Sequence, residues 1–249
     1  MPWQNGVDPT WDADRATTGR HFLRDMEHLW EQILKLAAVV EAALSHAIQV
    51  LCDGRSELAA EVRGEEREID HWEVQIELEC LKVLALHNPV ASDLRRVAAI
   101  LRINGDLERL GDLAEHIANR ARKLANEPNP LPIPPRLESL AQEAIAQVRD
   151  ALDALAANDV HRARAVIAAN HSVDRHRRLL QKQLKDAICH EPDRINSWLR
   201  LINIGRNLER VSDHAAHIAE AVIYLREGQI VRHRHNQLNP TPSPLREST

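Results

Sequence analysis

Glu108 and Asp112 stand four residues apart with His116 four further on, and Glu209, Asp213 and His217 repeat the pattern 101 positions later. On a helix, positions four apart stack along one face. Each copy would therefore present two carboxylates and an imidazole in a line. Hard oxygen donors of this kind suit Mg, Mn or Fe, and the histidines extend the range to Fe or Zn. Stacked carboxylates also repel one another by a few tenths of a kcal/mol per pair. Keeping them in both copies calls for something cationic, an ion or a partner, to offset the repulsion. The plainer alternative is a solvated face neutralised by Arg109 and Arg210.

The register of the repeat argues for duplication. Leu107, Glu108, Arg109, Asp112, Ala114, His116, Ile117 and Ala118 align with identical residues at Leu208, Glu209, Arg210, Asp213, Ala215, His217, Ile218 and Ala219. Apolar positions match between any two helices, whereas Glu, Arg, Asp and His in one register do so by descent from a common unit. Leu107, Leu110, Ala114, Ile117, Ala121 and Leu124 form the core stripe of the first copy. Leu208, Val211, Ala215, Ile218, Val222 and Leu225 form that of the second. At about 100° per residue, the carboxylates point away from this stripe, to the outside. A second pair of segments, Glu66 with Asp70 and Asn170 with Asp174, lies 104 positions apart. Glu66 and Asp70 sit about a quarter-turn from their own core stripe, on the flank that can approach the Glu108 helix.

Six helices must position these residues. Leu23, Met26, Trp30, Ile33, Ala37, Val40, Leu44, Ala47 and Leu51 recur at steps of three and four, an amphipathic helix that Cys52-Asp53-Gly54 ends. A second helix carries Ile69, Trp72, Ile76, Cys80 and Val83 and stops near His87-Asn88-Pro89. A third runs from Asp93 to about Ala125. After the proline-rich segment 127–135, which cannot continue a helix, the plan repeats over 136–157, 159–190 and 192–226. The expectation is an all-α fold, two tandem antiparallel three-helix bundles at 19–126 and 136–227. Residues 1–18 and 228–249, polar and turn-rich, read as disordered ends.

Composition agrees and excludes other classes. Aromatics make up 3% of the chain, too few for an all-β core, and a net charge of −5 gives no field for nucleic acid. Cys52, Cys80 and Cys189 are far apart with no CxxC, hence reduced and mostly buried thiols. The N-terminus has no basic and apolar signal pattern, and no run of about 18 apolar residues suggests a membrane span. A cytoplasmic protein is expected. Eight glycines, no phosphate loop and no nucleophile–base arrangement speak against an enzyme.

At Ala91-Ser-Asp-Leu-Arg-Arg96, Asp106-Leu-Glu-Arg-Leu-Gly-Asp112 and Asn207-Leu-Glu-Arg-Val-Ser-Asp213 the chain resembles the PhoU family of bacterial phosphate regulators, over about Arg20 to Arg226. The resemblance implies two three-helix bundles related by a pseudo-twofold, and E(D)xxxD motifs that hold surface metal clusters of iron or zinc. It implies a cytoplasmic, often dimeric negative regulator of phosphate uptake and phosphate-starvation signalling. Such a regulator lies between the phosphate ABC transporter, chiefly its ATPase subunit, and the phosphate-sensing histidine kinase. The metal ligands carried over are Glu66, Asp70, Glu108 and Asp112 in the first repeat and Asp174, Glu209 and Asp213 in the second. Asn170 stands where the family usually has an acid; its amide oxygen could coordinate without bringing charge, so the second site should be weaker. His116 and His217 stand where the family often has Asn, as added ligands or as donors that orient Asp112 and Asp213.

Two other readings compete. A ferritin-type di-metal enzyme needs inward-facing Glu and Glu-x-x-His on two helices, and Glu68-Ile-Asp-His71 is the one match beside the candidates. A metal-free structural adaptor differs from the favoured reading in metal content alone. The basic runs Arg175–Arg178 and Arg232–His235 could attract an acidic partner or a nucleotide, or serve only as solvated face and disordered tail.

Overall fold

A computed structural model describes the backbone of residues 9–231 and the side chains of residues 21–231. It contains six helices: α1 (Pro9–Cys52), α2 (Leu58–His87), α3 (Ser92–Ala125), α4 (Pro135–Ala157), α5 (Val160–His190) and α6 (Ile195–Glu227), with one 3₁₀ turn at Pro192–Arg194 before α6. No strand occurs among the described residues.

Local chemistry sets the helix ends. Asn88 closes α2 in the left-handed conformation at φ 43°, returning its N–H to the Leu84 oxygen. Pro89 then prevents continuation. Asp159 caps α5, its carboxylate accepting from the N–H groups of His161 and Arg162 at 2.9 and 3.1 Å. Pro135 occupies the first turn of α4, where its missing N–H costs nothing.

Helices α1, α2 and α3 pack against one another as one bundle, and α4, α5 and α6 as another. The bundles meet through α3 on α6, with a smaller contact of α1 on α4. Exchanging the repeats maps each contact onto itself, the signature of an internal twofold. This seam explains burial beyond the expected stripes. Leu113 and Ala118 on α3 and Ala216 and Ala219 on α6 are buried although they lie off the core faces read from the sequence. Buried side chains from all six helices form one continuous core, with Leu29, Ile33, Ile69, Ile103 and Ile117 among its largest members.

Three expectations change. Helix α1 begins at Pro9, so the polar segment expected to be disordered through residue 18 is helical over 9–18; Pro9 suits a first helical position, and residues 1–8 lie outside the described residues. The C-terminal segment leaves α6 at Gly228, yet Val231 is buried in the core; residues 232–249 lie outside the described residues. His21–Cys52 is long and apolar enough, at a mean hydropathy of 1.5, to cross a membrane. Its apolar face is instead packed within the first bundle and against α4. Of the thiols, Cys80 is buried, Cys52 half-buried and Cys189 exposed; burial pushes Cys52 to about 11 and Cys80 to about 12.

Segment 127–135 connects the bundles and is held in place. Glu127 accepts from Ser197 Oγ at 2.6 Å and pairs with Arg200, and Arg194 donates to the Asn129 oxygen at 2.7 Å.

Candidate metal centre

Helices α2 and α3 approach closely beside the first acidic stripe. Gly111 permits it: a Cβ there would stand 2.8 Å from the Ile69 Cδ1 atom. With α2 so near, Glu66 and Asp70 on one helix face Glu108 and Asp112 on the other. Each group feels its neighbours' charge. Burial, and then Asp70, Glu115 and Asp112, push the Glu66 carboxyl above its usual range. Burial, then Asp112, raises Glu108, with Glu73 and Asp70 adding to it and Arg109 opposing.

Two further carboxylates belong to this groove. Glu73, a residue with no role in the sequence reading, is raised by burial and by Glu77 and Asp70, and it bears in turn on Glu108. Glu115 bears on Glu66. The signal was present: Glu66, Asp70 and Glu73, like Glu108, Asp112 and Glu115, fall at i, i+4 and i+7, one face over two turns. Six carboxylates thus line one groove. Arg109 bridges Glu108 at 3.3 Å and Asp112 at 3.2 Å, and Arg63 approaches Glu115 at 3.9 Å. Both arginines lie more than half exposed, where a surface pair is worth about 0–1 kcal/mol. The stripe is less open than a helical wheel implies, because α2 covers part of Glu108, whose side chain retains 22% exposure.

The second groove has the same backbone plan and different occupants. Arg177 stands where the first repeat has Glu73, and Ala216 where it has Glu115. The Arg177 guanidinium donates to Glu209 at 2.7 Å, with both side chains about one-fifth exposed. Arg178 approaches Asp174 at 3.9 Å. Burial raises Glu209, a hydrogen bond with Asp174 adds to this, and Arg177 opposes it. The basic run Arg175–Arg178 is therefore largely engaged within the fold, since His176 also pairs with Glu143 at 2.8 Å. The other run, Arg232–His235, lies outside the described residues. Arg177, rather than Arg210, is the cation that neutralises the second stripe.

Asn170 turns its nitrogen to the groove. Gln147 donates its amide to the Val166 oxygen at 3.0 Å, leaving its own oxygen toward the Ser212 hydroxyl. That hydroxyl lies 2.7 Å from Asn170 Oδ1, and Asn170 Nδ2 donates to Asp213 at 3.0 Å. The amide oxygen expected as a weak ligand is thus occupied at Ser212, and an N–H points at the carboxylate.

The histidines also depart from expectation. His116 is exposed, its backbone oxygen accepting from Arg120. His217 does not turn to Asp213; it bonds Asp106 on α3 across the seam at 3.3 Å. Glu68 accepts from the Trp72 indole at 3.4 Å, and Glu68 and His71 are both exposed, not directed into the bundle as a ferritin-type site would require.

A metal fits the first groove on the chemistry of its donors. Six acids, of which Glu66, Glu73 and Glu108 have raised proton affinity, form a site where a di- or trivalent cation would relieve their repulsion. In the second groove a guanidinium and an amide N–H hold the places such an ion would need.

A duplicated bundle with acidic grooves between its second and third helices defines a class of helical repeat proteins with a twofold seam. The PhoU domain matches this chain twice, at residues 33–121 and 137–222. The chain belongs to the PhoU family. A phosphate-specific transport system accessory protein PhoU homolog of Aquifex aeolicus is 37% identical over 212 residues, 85% of this chain and 96% of that protein. Its counterpart in Deinococcus radiodurans is 36% identical over 200 residues, 80% of this chain and 93% of that one. The crystal structure of PhoU from Pseudomonas aeruginosa superposes with a TM-score of 0.81 at 34% identity, covering 84% of this chain and 100% of that one.

Proposed function

We propose that this chain is a cytoplasmic negative regulator of phosphate uptake and phosphate-starvation signalling, without enzymatic activity of its own. The observation that carries the reading is the match along both repeats to relatives named as accessory proteins of the phosphate-specific transport system. The protein docks on the ATPase subunit of the phosphate ABC transporter and on the phosphate-sensing histidine kinase, and holds the kinase in its repressing state when phosphate is plentiful. It works as a homodimer and meets the membrane only through these partners.

In this reading Glu66, Asp70, Glu108 and Asp112, joined by Glu73 and Glu115, hold Fe, Zn, Mn or Mg in the first groove. The ion neutralises that face and fixes α2 against α3. Asp174, Glu209 and Asp213 hold metal weakly, because Arg177 already engages Glu209, Asn170 engages Asp213 and Arg178 approaches Asp174.

The test is affinity capture from membranes containing both partners, with wild type and a Glu108→Ala/Asp112→Ala variant. Wild type is expected to retain the transporter ATPase and the kinase, and the variant to lose at least one. Failure of wild type to retain either would overturn the regulatory reading. A variant that captures both as well as wild type would remove the first groove from it.

A further inference from the structure

The seam between the repeats carries a cluster that neither acidic groove accounts for. Asp106 on α3 faces His214 and His217 on α6, and both imidazole Nδ1 atoms converge on the same carboxylate oxygen, at 2.9 and 3.3 Å. One ligand atom from each of the three residues lies within 4.8 Å of the others. The rings stand edge to face, 5.5 Å between centroids and 88° between planes. Two histidines one turn apart on a helix and a carboxylate from a facing helix are a metal-binding set in donor type and in spacing. A tetrahedral ion with bonds of about 2.1 Å sets its ligands about 3.4 Å apart.

We propose that Asp106, His214 and His217 form a separate site for a divalent metal of the zinc class, one that ties the two repeats together across the seam. Two nitrogens and one oxygen suit Zn²⁺, Co²⁺ or Ni²⁺ better than Mg²⁺, so the site differs in preference from the all-oxygen first groove. Asp106 and His214 are about five-sixths covered and His217 about half exposed. Two ligands are therefore held in the protein, and the third opens the site to solvent, where water completes the coordination. Entry of the ion displaces the proton from each Nδ1, to Nε2 where the ring is neutral or to solvent where it is an imidazolium, leaving the ligating imidazole uncharged. Glu220, buried and one turn further along α6, adds negative potential at His217.

Among the described residues the set has no twin, although the fold is duplicated. Under the internal twofold Asp106 corresponds to Asn207 and His214 to Leu113. Both counterparts are buried, and neither amide nor leucine completes a second set. The metal therefore marks one side of the seam, and its effect is to couple α3 to α6, not to fill a groove within either repeat. The proposal stands independently of the regulatory reading, because its test reads metal and histidine signals on the isolated chain.

The full-length protein, freed of metal with a chelator, is titrated with Co²⁺ and with Zn²⁺. Co²⁺ is expected to give one equivalent of visible absorption characteristic of imidazole ligation. Zn²⁺ is expected to shift the ¹⁵N ring resonances of His214 and His217 and to raise the unfolding temperature. Asp106→Asn, which preserves shape and imports the residue of the other repeat, and His217→Gln, at a half-exposed position, should each weaken binding 10- to 100-fold. The absorption should persist in a Glu108→Gln/Asp112→Asn variant. Equal Co²⁺ affinity in wild type, Asp106→Asn and His217→Gln would overturn the site. So would loss of the absorption in the groove variant, or ring shifts confined to other histidines.

Discussion

The two grooves share a backbone and differ in how their charge is balanced. In the first, Glu66, Asp70, Glu73, Glu108, Asp112 and Glu115 crowd together, and burial and mutual repulsion raise the proton affinity of Glu66, Glu73 and Glu108. In the second, the position of Glu73 has become Arg177, that of Glu66 has become Asn170 and that of Glu115 has become Ala216. The result is an internally neutralised network in which Arg177 holds Glu209 and Asn170 holds Asp213. The two repeats share the scaffold and differ at three positions, which leave the acids of the first groove crowded and give the second groove a guanidinium of its own. The position shared by Glu73 and Arg177 accepts a charge of either sign with packing intact, because it is half-buried beside the core and not in it.

Exchanging the residues that differ gives the most decisive test. Glu73→Arg should import the self-neutralised state into the first groove and weaken Mn²⁺ binding there by about 100-fold. Arg177→Glu should create affinity in the second groove. Isothermal titration of both variants decides it, and an unchanged Glu73→Arg isotherm would break the comparison.

Next in size is Glu209→Gln. It leaves the Arg177 guanidinium, one-fifth exposed, without its ionic partner, at a cost of about 1–3 kcal/mol in urea unfolding. Glu108→Gln in chelator should instead be neutral or stabilising by a few tenths of a kcal/mol, since it relieves repulsion. Equal destabilisation by the two changes would show that the grooves are balanced alike. Between these lies Gly111→Ala, expected to cost about 1 kcal/mol as Ile69 and α2 are displaced.

The smallest effect is a pH dependence. Glu66, Glu73 and Glu108 bind protons more tightly folded than unfolded. Metal-free stability from these groups should therefore fall as pH rises from the ordinary carboxylate value near 4.3 through their raised values. Saturating Mn²⁺ should reverse the slope, because the ion binds only the ionised groove. Melting temperatures between about pH 4.5 and 7, compared with Glu108→Gln, measure the difference. The same slope with and without Mn²⁺ would mean that no ion enters.

The duplication was legible because identical charged residues recur in one register, and the helices because apolar residues recur at steps of three and four. Glu108, Asp112, Glu66 and Asp70 were legible by the same periodicity. Glu73 was readable as the third member of an i, i+4, i+7 set, but it looked like any other acid until α3 was placed beside it. Arg177 looked like part of a basic surface run, because sequence shows which face of its own helix a residue occupies and not which neighbour meets that face.

The sequence by itself determined the six helices, the duplication and the lines of acid along α2 and α3, since each follows from spacing along a single helix. The tertiary structure alone decided that α3 packs on α6, that Arg177 meets Glu209, and that His217 turns to Asp106, 111 positions away in the chain. These pairings depend on the rotation and separation of whole helices. Burial of the shared core sets both, and no local pattern encodes them.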